Sequence, residues 1–306
     1  MRCVVRVRGA SKKSKEGEMP TKDGVHYLDG RLLNEAIKVV VIGAGGSGSH
    51  MVADLAVLHQ SMIDLGHPGG IDCTVIDFDH ISQANVGRSR FYEADVGANK
   101  AQTIVNRVNA CYGLNFKAIS EKLEAGSRGF ALSNADLVIG CVDTRESRRS
   151  ILSILRSVRR YGRSVYWLDL GNGDVDGQVV LGEVGDIKGG RLPCVTDLFP
   201  EMLDNSLDPA DAGPSCSRAE ALTRQSAFVN KAASMHAISM LSMLFRYGQI
   251  EHHACFFSLK TGRVSVLACD PKGWEQRFGF SSTKAEPAAV GADGSELEDF
   301  DDNRPF

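Results

Sequence analysis

Residues 39–48, VVVIGAGGSG, decide the fold. A run of β-branched apolar residues leads straight into a glycine-rich turn. Met51, Leu55, Leu58 and Met62 then recur at helical spacing, to about Leu65, where GHPGG ends the helix. Strand, tight turn and helix in that order bring backbone N–H groups and the positive end of a helix dipole to one point, which suits phosphate. The pattern then repeats. Strand-like runs at 73–76, 136–141, 165–170 and 178–183 alternate with helical segments at 97–111, with Ile104, Val105 and Val108 inward, and at 145–161, with its arginines outward. This alternation predicts an α/β fold: a Rossmann-like doubly wound sheet, parallel in its N-terminal part, with helices on both faces. Residues 217–247 read as a long helix with an apolar stripe of Phe228, Ala232, Met235, Ile238, Met243 and Leu244. Residues 254–259 and 263–267 read as a hairpin around KTG, so the C-terminal strands are expected to be mixed or antiparallel.

Composition narrows the function classes. Of 306 residues, 43% are hydrophobic and 24% charged, with a net charge of −3, which gives no global attraction to nucleic acid or to an anionic membrane. No apolar run reaches the ~20 residues of a membrane span. Residues 1–18 carry Arg2, Arg6, Arg8, Lys12, Lys13 and Lys15 without the apolar core of a signal peptide, and are expected to be a disordered extension. Residues 281–306, rich in acids, are expected to be a disordered tail. Residues 19–280 between them are expected to form one domain, with a nucleotide-binding half at 38–148 and a second half at 149–280. The eight cysteines (Cys3, Cys73, Cys111, Cys141, Cys194, Cys216, Cys255 and Cys269) include no CxxC pair. A reduced, cytoplasmic setting fits, and zinc is not expected.

Residues 77–100, DFDHISQANVGRSRFYEADVGANK, make the phosphate reading specific. Asp77 closes the second strand, where a carboxylate can accept from ribose hydroxyls, and Asp79 follows. Asn85 and Arg88 lie in the next loop, and Lys100 opens a helix. An amide and two cations are more than hydride transfer needs, and about what a departing pyrophosphate needs. Asp143, in VIGCVDT, leaves the end of a further strand, where open parallel sheets bind ligands. A carboxylate beside triphosphate is a natural Mg2+ ligand; the other reading of Asp143 is a helix N-cap before RESRR. An NAD(P)-dependent oxidoreductase with the same glycine turn is the competing reading.

Taken in order, Gly43, Gly45, Gly46 and Gly48, then Asp77 and Asp79, Asn85 and Arg88, Lys100 and Asp143 resemble the ThiF/MoeB superfamily, adenylating enzymes related to the ubiquitin activators. More narrowly, LGHPGG, LVIGCVDTR, YWLDLGN, GQVVLGE, LPCVTDLFPE and PSCSRAEAL resemble the ThiF-like family of the PRTRC plasmid cassette. The resemblance implies ATP and Mg2+, and adenylation of the C-terminal glycine carboxylate of a small ubiquitin-like or sulfur-carrier protein, by a homodimer. It implies Asp77 on ribose, Arg88 and Lys100 on phosphates with Asn85 beside them, and Asp143 on Mg2+. Arg88, Lys100 and Cys216 are then the catalytic set. The chain departs from the family pattern at three places. Ser89 stands where the family usually has Gln. Arg31 is the one weak equivalent of an arginine that reaches the partner subunit's ATP. The zinc CxxC pairs are missing, with Cys194 and Asp197 near the first pair's positions. These departures keep a non-catalytic nucleotide-binding scaffold as an alternative.

Several members of that superfamily pass the adenylate to a cysteine. Cys216 precedes a helix start whose dipole would favour its thiolate; an inert loop cysteine is the equal alternative. Cys194 is the second candidate and reads first as structural. Gln225 and Asn230 are either polar site residues or surface. His50 and His59 read as packed or solvated, and Met235, Met240 and Met243 as packing residues.

Overall fold

The computed structural model describes residues 21–22, 24–123, 132–157, 164–185, 191–208 and 225–281. The expectations for residues 1–18, for Cys216 and for the tail beyond Ser281 fall outside these residues.

A short hairpin of β1 (Thr21–Lys22) and β2 (Val25–Tyr27) comes first. The nucleotide-type half follows as β3 (Ile37–Ile42), α1 (Gly46–Asp64), β4 (Ile71–Ile76), α2 (Lys100–Tyr112) and β5 (Lys117–Ile119). Next come β6 (Leu137–Gly140), α3 (Arg145–Ser157), β7 (Val165–Asn172) and β8 (Asp176–Val184). The chain continues through α4 (Val195–Leu198), α5 (Val229–Tyr247), β9 (Gln249–Ile250), β10 (His252–Ser258), β11 (Arg263–Ala268) and α6 (Pro271–Phe278).

The main sheet has eight strands in the order β11-β10-β8-β7-β6-β3-β4-β5. Its β5-to-β7 part is parallel, and β7, β8, β10 and β11 pair antiparallel. The fold is therefore the expected mixed α/β sheet flanked by helices. β3 and β6 are nearly continuous apolar runs because parallel strands at a sheet centre are covered on both faces; Val41 and Ile139 pair in register and are fully buried. From β3 the sheet extends to β4 and β5 on one side and to β6 and β7 on the other. The C-terminal ends of β3 and β6 therefore flank a topological switch point, the place where such sheets bind ligands.

The helices are set by local signals. Asn99 Oδ1 accepts the Gln102 N–H at 3.0 Å, so α2 starts at Lys100 and not at Gly97. Gly113, left-handed at φ 66°, ends it. Of the expected stripe of α5, Leu244 is buried and Ala232 and Ile238 pack against the core, but the other three are corrected. Phe228, Met235 and Met243 are exposed, and the buried side carries Asn230, Ala233, Ser234 and Ala237 together with larger residues such as Leu241. The small residues let α5 lie close against α1, where Ser234 Oγ donates to Asp54 Oδ2 at 2.7 Å. In α3, Arg149 faces outward as expected, whereas Arg148 is buried and corrects the reading there.

At the opposite end of the sheet, His26 Nε2 lies 2.7 Å from the Tyr166 hydroxyl and His253 Nδ1 lies 2.8 Å from the Leu181 carbonyl. Burial lowers His26 to about 3 and His253 to about 4. Each favours the neutral ring in the fold, so its contribution is full above the ordinary value of 6.5 and is lost as pH falls through 4 and 3. Burial raises Glu183 from 4.5 to about 7, so its contribution is full below 4.5 and is lost as pH rises through 7. Asp77 and Asp169 are raised like Glu183, while His50, His236 and His252 are lowered like these two, so five histidines act against three carboxyls. The urea midpoint is expected to fall on acidification from pH 6.5 to 4, and His253→Gln should flatten that fall. A midpoint that rises over this range would contradict the assignment.

Candidate active site

The glycine turn is held by contacts that exclude side chains. Gly43 has φ +87°, and a Cβ there would stand 2.5 Å from the Cys141 carbonyl oxygen. A Cβ on Gly48 would stand 1.9 Å from the Gly43 oxygen. The turn therefore closes on itself and on the end of β6. Asp77 ties it to β4: Oδ2 accepts the Ala44 N–H at 2.6 Å and Oδ1 accepts the Asp79 N–H at 2.9 Å. Burial raises the Asp77 carboxyl, opposed by the Ala44 N–H and by the charge of Lys100.

The 77–100 segment folds back to the same place. Lys100 Nζ lies 2.8 Å from Asp79 Oδ2. Asn85 is buried, and its Oδ1 accepts from the Ser82 N–H at 2.9 Å, closing the loop that carries Arg88. Arg88 donates through Nε to the Ala84 carbonyl and through Nη1 to Gln225 Oε1, both at 2.9 Å. Asp143 stands exposed beyond β6. The N-cap role belongs to its neighbour, since Thr144 Oγ1 accepts the Ser147 N–H at 3.2 Å.

Gly45, Gly46, Asp79, Asn85, Arg88, Lys100 and Asp143 border one open cleft of about 1400 Å³. A smaller cavity of about 370 Å³ opens beside it, bordered by Gly43 and Asp77 together with Ile76, Phe78, Leu123 and Val142. Gly45, Gly46, Asp79, Lys100 and Asp143 border both. Gly48 borders neither and serves the turn from behind. The expected nucleotide residues are thus brought together at the switch point. Among the described residues no three His, Cys, Asp or Glu side chains cluster as a metal site. Asp143 makes no hydrogen bond or ion pair among the described residues.

Gln225 and Asn230, which the sequence leaves between site and surface, line the cleft, together with Asn172, which it does not single out. Asn230 is buried, and its Oδ1 accepts from Ser47 Oγ at 3.1 Å and from Asn172 Nδ2 at 3.2 Å. Its Nδ2 donates to Gln225 Oε1 at 3.1 Å, the same atom that receives Arg88. A Cβ on Gly46 would meet Asn230 Oδ1 at 2.4 Å, which is why that position is glycine. Ser47, Asn172, Gln225 and Asn230 therefore link the glycine turn, β7 and α5 to the Arg88 loop. Asn172 had a usable signal, as it closes LDLGN at the C-terminal end of a parallel strand.

The other candidates take structural positions. Cys194 is buried, and its S–H donates to the Glu183 carbonyl at 3.3 Å. Asp197, at the other position weighed for zinc, pairs with Arg191 at 2.7 Å. Burial, reinforced by Asp169 and Asp143, pushes the Cys141 thiol up, and burial does the same at Cys73. Arg31 is paired to Asp136, just before β6, and to Glu35, at the end of the sheet away from the cleft.

The sequence matches the ThiF family over residues 28–274. It is 26% identical over 213 residues to the Nedd8-activating enzyme E1 catalytic subunit of Drosophila melanogaster, covering 63% of this chain and 41% of that one. It is 23% identical over 223 residues to the adenylyltransferase and sulfurtransferase UBA4 of Yarrowia lipolytica, covering 71% and 49%. The chain thus spans less than half the length of these relatives. The crystal structure of E. coli MccB with succinimide resembles it at a TM-score of 0.54 and 16% identity, covering 76% of this chain and 64% of that one, a likeness of fold.

Proposed function

We propose, from the premise that this chain belongs to the ThiF family, that it adenylates the C-terminal glycine carboxylate of a small ubiquitin-like or sulfur-carrier protein with ATP and Mg2+. The observation that carries this reading is the pair of joined cavities sharing Lys100, Asp79 and Asp143 at the end of the glycine turn. The smaller cavity suits a nucleoside, with Ile76, Phe78, Leu123 and Val142 for the base and Asp77 at its wall for the ribose. The triphosphate would run over the Gly45–Gly46 N–H groups into the large cleft.

There a carboxylate oxygen of the carrier attacks the α-phosphorus, the bond to the β-phosphate oxygen breaks, and pyrophosphate leaves with the electron pair. Arg88 and Lys100 oppose the charge that collects on the leaving group. Lys100 exchanges Asp79 for a phosphate oxygen, and Gln225 keeps the Arg88 fork in place until the nucleotide arrives. Mg2+ would neutralise the polyphosphate. Asp143 fits it as a lone carboxylate, because Mg2+ keeps several waters and takes its other ligands from phosphate.

A homodimer, a cytosolic setting, a place in the PRTRC cassette and a later covalent step at Cys216 extend the same reading. The test is ATP–pyrophosphate exchange with glycine-ended small proteins as carriers. Exchange should require both carrier and Mg2+, and Asp143→Asn should lower it about a hundredfold, with partial recovery at raised Mg2+. ATP binding without exchange for every carrier tried would leave the scaffold alternative standing in its place.

A further inference from the structure

Arg148 occupies a wall of the large cleft that the nucleotide motifs do not account for. Its side chain is 6% exposed and is fixed by one bond, Nε donating to Asp169 Oδ1 at 2.9 Å. Its two terminal nitrogens have no protein acceptor among the described residues. Asp169 beneath it is fully buried, and its Oδ2 is without a donor. Two charged donors that face the cleft without a protein acceptor suit an anionic ligand.

Gly171 gives a second, independent observation. A Cβ built on it would stand 3.3 Å from Gln178 Nε2 and 3.4 Å from Arg148 Nη2. An amide and a guanidinium thus converge over a residue that has no side chain, and they leave a cradle that one methyl group would fill. Arg148, Gly171 and Gln178 border the large cleft and not the small cavity. They lie at the β7–β8 side of the sheet, with β6 between them and the glycine turn after β3.

We propose that Arg148 and Gln178, over Gly171, form a carboxylate-binding subsite that takes the terminal carboxylate of an extended peptide entering the cleft. The proposal rests on the adenylation reading and deepens it, by naming what holds the acceptor. A planar guanidinium fork matches a planar carboxylate. The phosphates have their own donors across β6, at the glycine turn and Lys100.

The test is 15N–1H NMR of the Arg148 guanidinium in the full chain, the signal being identified by its loss in Arg148→Lys. The probes are triglycine, triglycine amide and inorganic pyrophosphate. Triglycine should shift the signal saturably, whereas the amide and pyrophosphate should not. Gly171→Ala and Gln178→Leu both keep the Arg148–Asp169 pair, and each should weaken triglycine binding about tenfold. A shift with pyrophosphate would make this a phosphate site and overturn the assignment. No response to triglycine, or unchanged affinity in both variants, would overturn it as well. No readout depends on turnover, so this result and the exchange assay succeed or fail separately.

Discussion

Arg88→Ala is expected to lower ATP–pyrophosphate exchange by about three orders of magnitude while the melting temperature moves by only a few degrees. Arg88 is half-buried, and its two bonds, to the Ala84 carbonyl and to Gln225, are each made at 2.9 Å. Losing them costs about 1 kcal/mol apiece. The expected loss in rate is larger because, on the adenylation proposal, the guanidinium faces a cleft where charge would develop on the leaving pyrophosphate. Arg88→Lys keeps the charge and loses the bidentate geometry, so it should fall between the two. Exchange that survives unchanged in the alanine variant would remove Arg88 from the chemistry and leave it as a brace between the 83–90 loop and Gln225.

Gly48→Ala should have the largest effect on stability, about 2–4 kcal/mol, read as a fall in the urea midpoint at unchanged slope. Its added Cβ would stand 1.9 Å from the Gly43 oxygen, 2.8 Å from the Gly43 carbonyl carbon and 3.2 Å from Cys141 Cβ. Two of these are backbone atoms of the turn itself and cannot rotate away. Relief requires the turn to open, which also spreads the N–H groups meant for phosphate, so nucleotide affinity should fall with stability. Gly30→Ala is the control for size, because a Cβ there meets nothing within 4 Å. A Gly48→Ala midpoint matching that control would mean that the turn is looser than its contacts imply.

That the glycine turn and the 77–100 loop meet in one cleft was legible in the sequence because both are short segments with local signatures. A strand–glycine–helix run and a 77–100 loop each fold from their own neighbours, and the parallel sheet brings their ends together. The rest comes from pairings across long stretches of chain. Asn230 meets Ser47 and Asn172, and Gln225 meets Arg88, none of which a local pattern encodes. Arg148 looked like one charge on an arginine-rich helix until Asp169 was found under it.

The stripe of α5 was misread for a different physical reason. Helix pairs that pack closely use alanine and serine, so hydrophobic periodicity picked the larger Phe228, Met235 and Met243, which face outward. For Asp143 a hydrogen bond gives the N-cap role to the adjacent Thr144, and the Mg2+ reading remains a proposal. Strands of two or three residues, such as β1, β2 and β9, carry too few residues to show any period.

The seat of Asn230 over Gly46 has a consequence for the order of synthesis. A ribosome adds roughly 5–20 residues per second, and the glycine turn with its 77–100 loop leaves the tunnel long before α5 does. Until α5 arrives, nothing covers the face of α1 around Ser234's partner Asp54 and the buried Met51, and nothing pins the turn from above. The glycine turn and the 77–100 loop thus precede the contacts that Gln225 and α5 add to them. A chain released before Asn230 would therefore lack both the cover of α1 and the contact over Gly46.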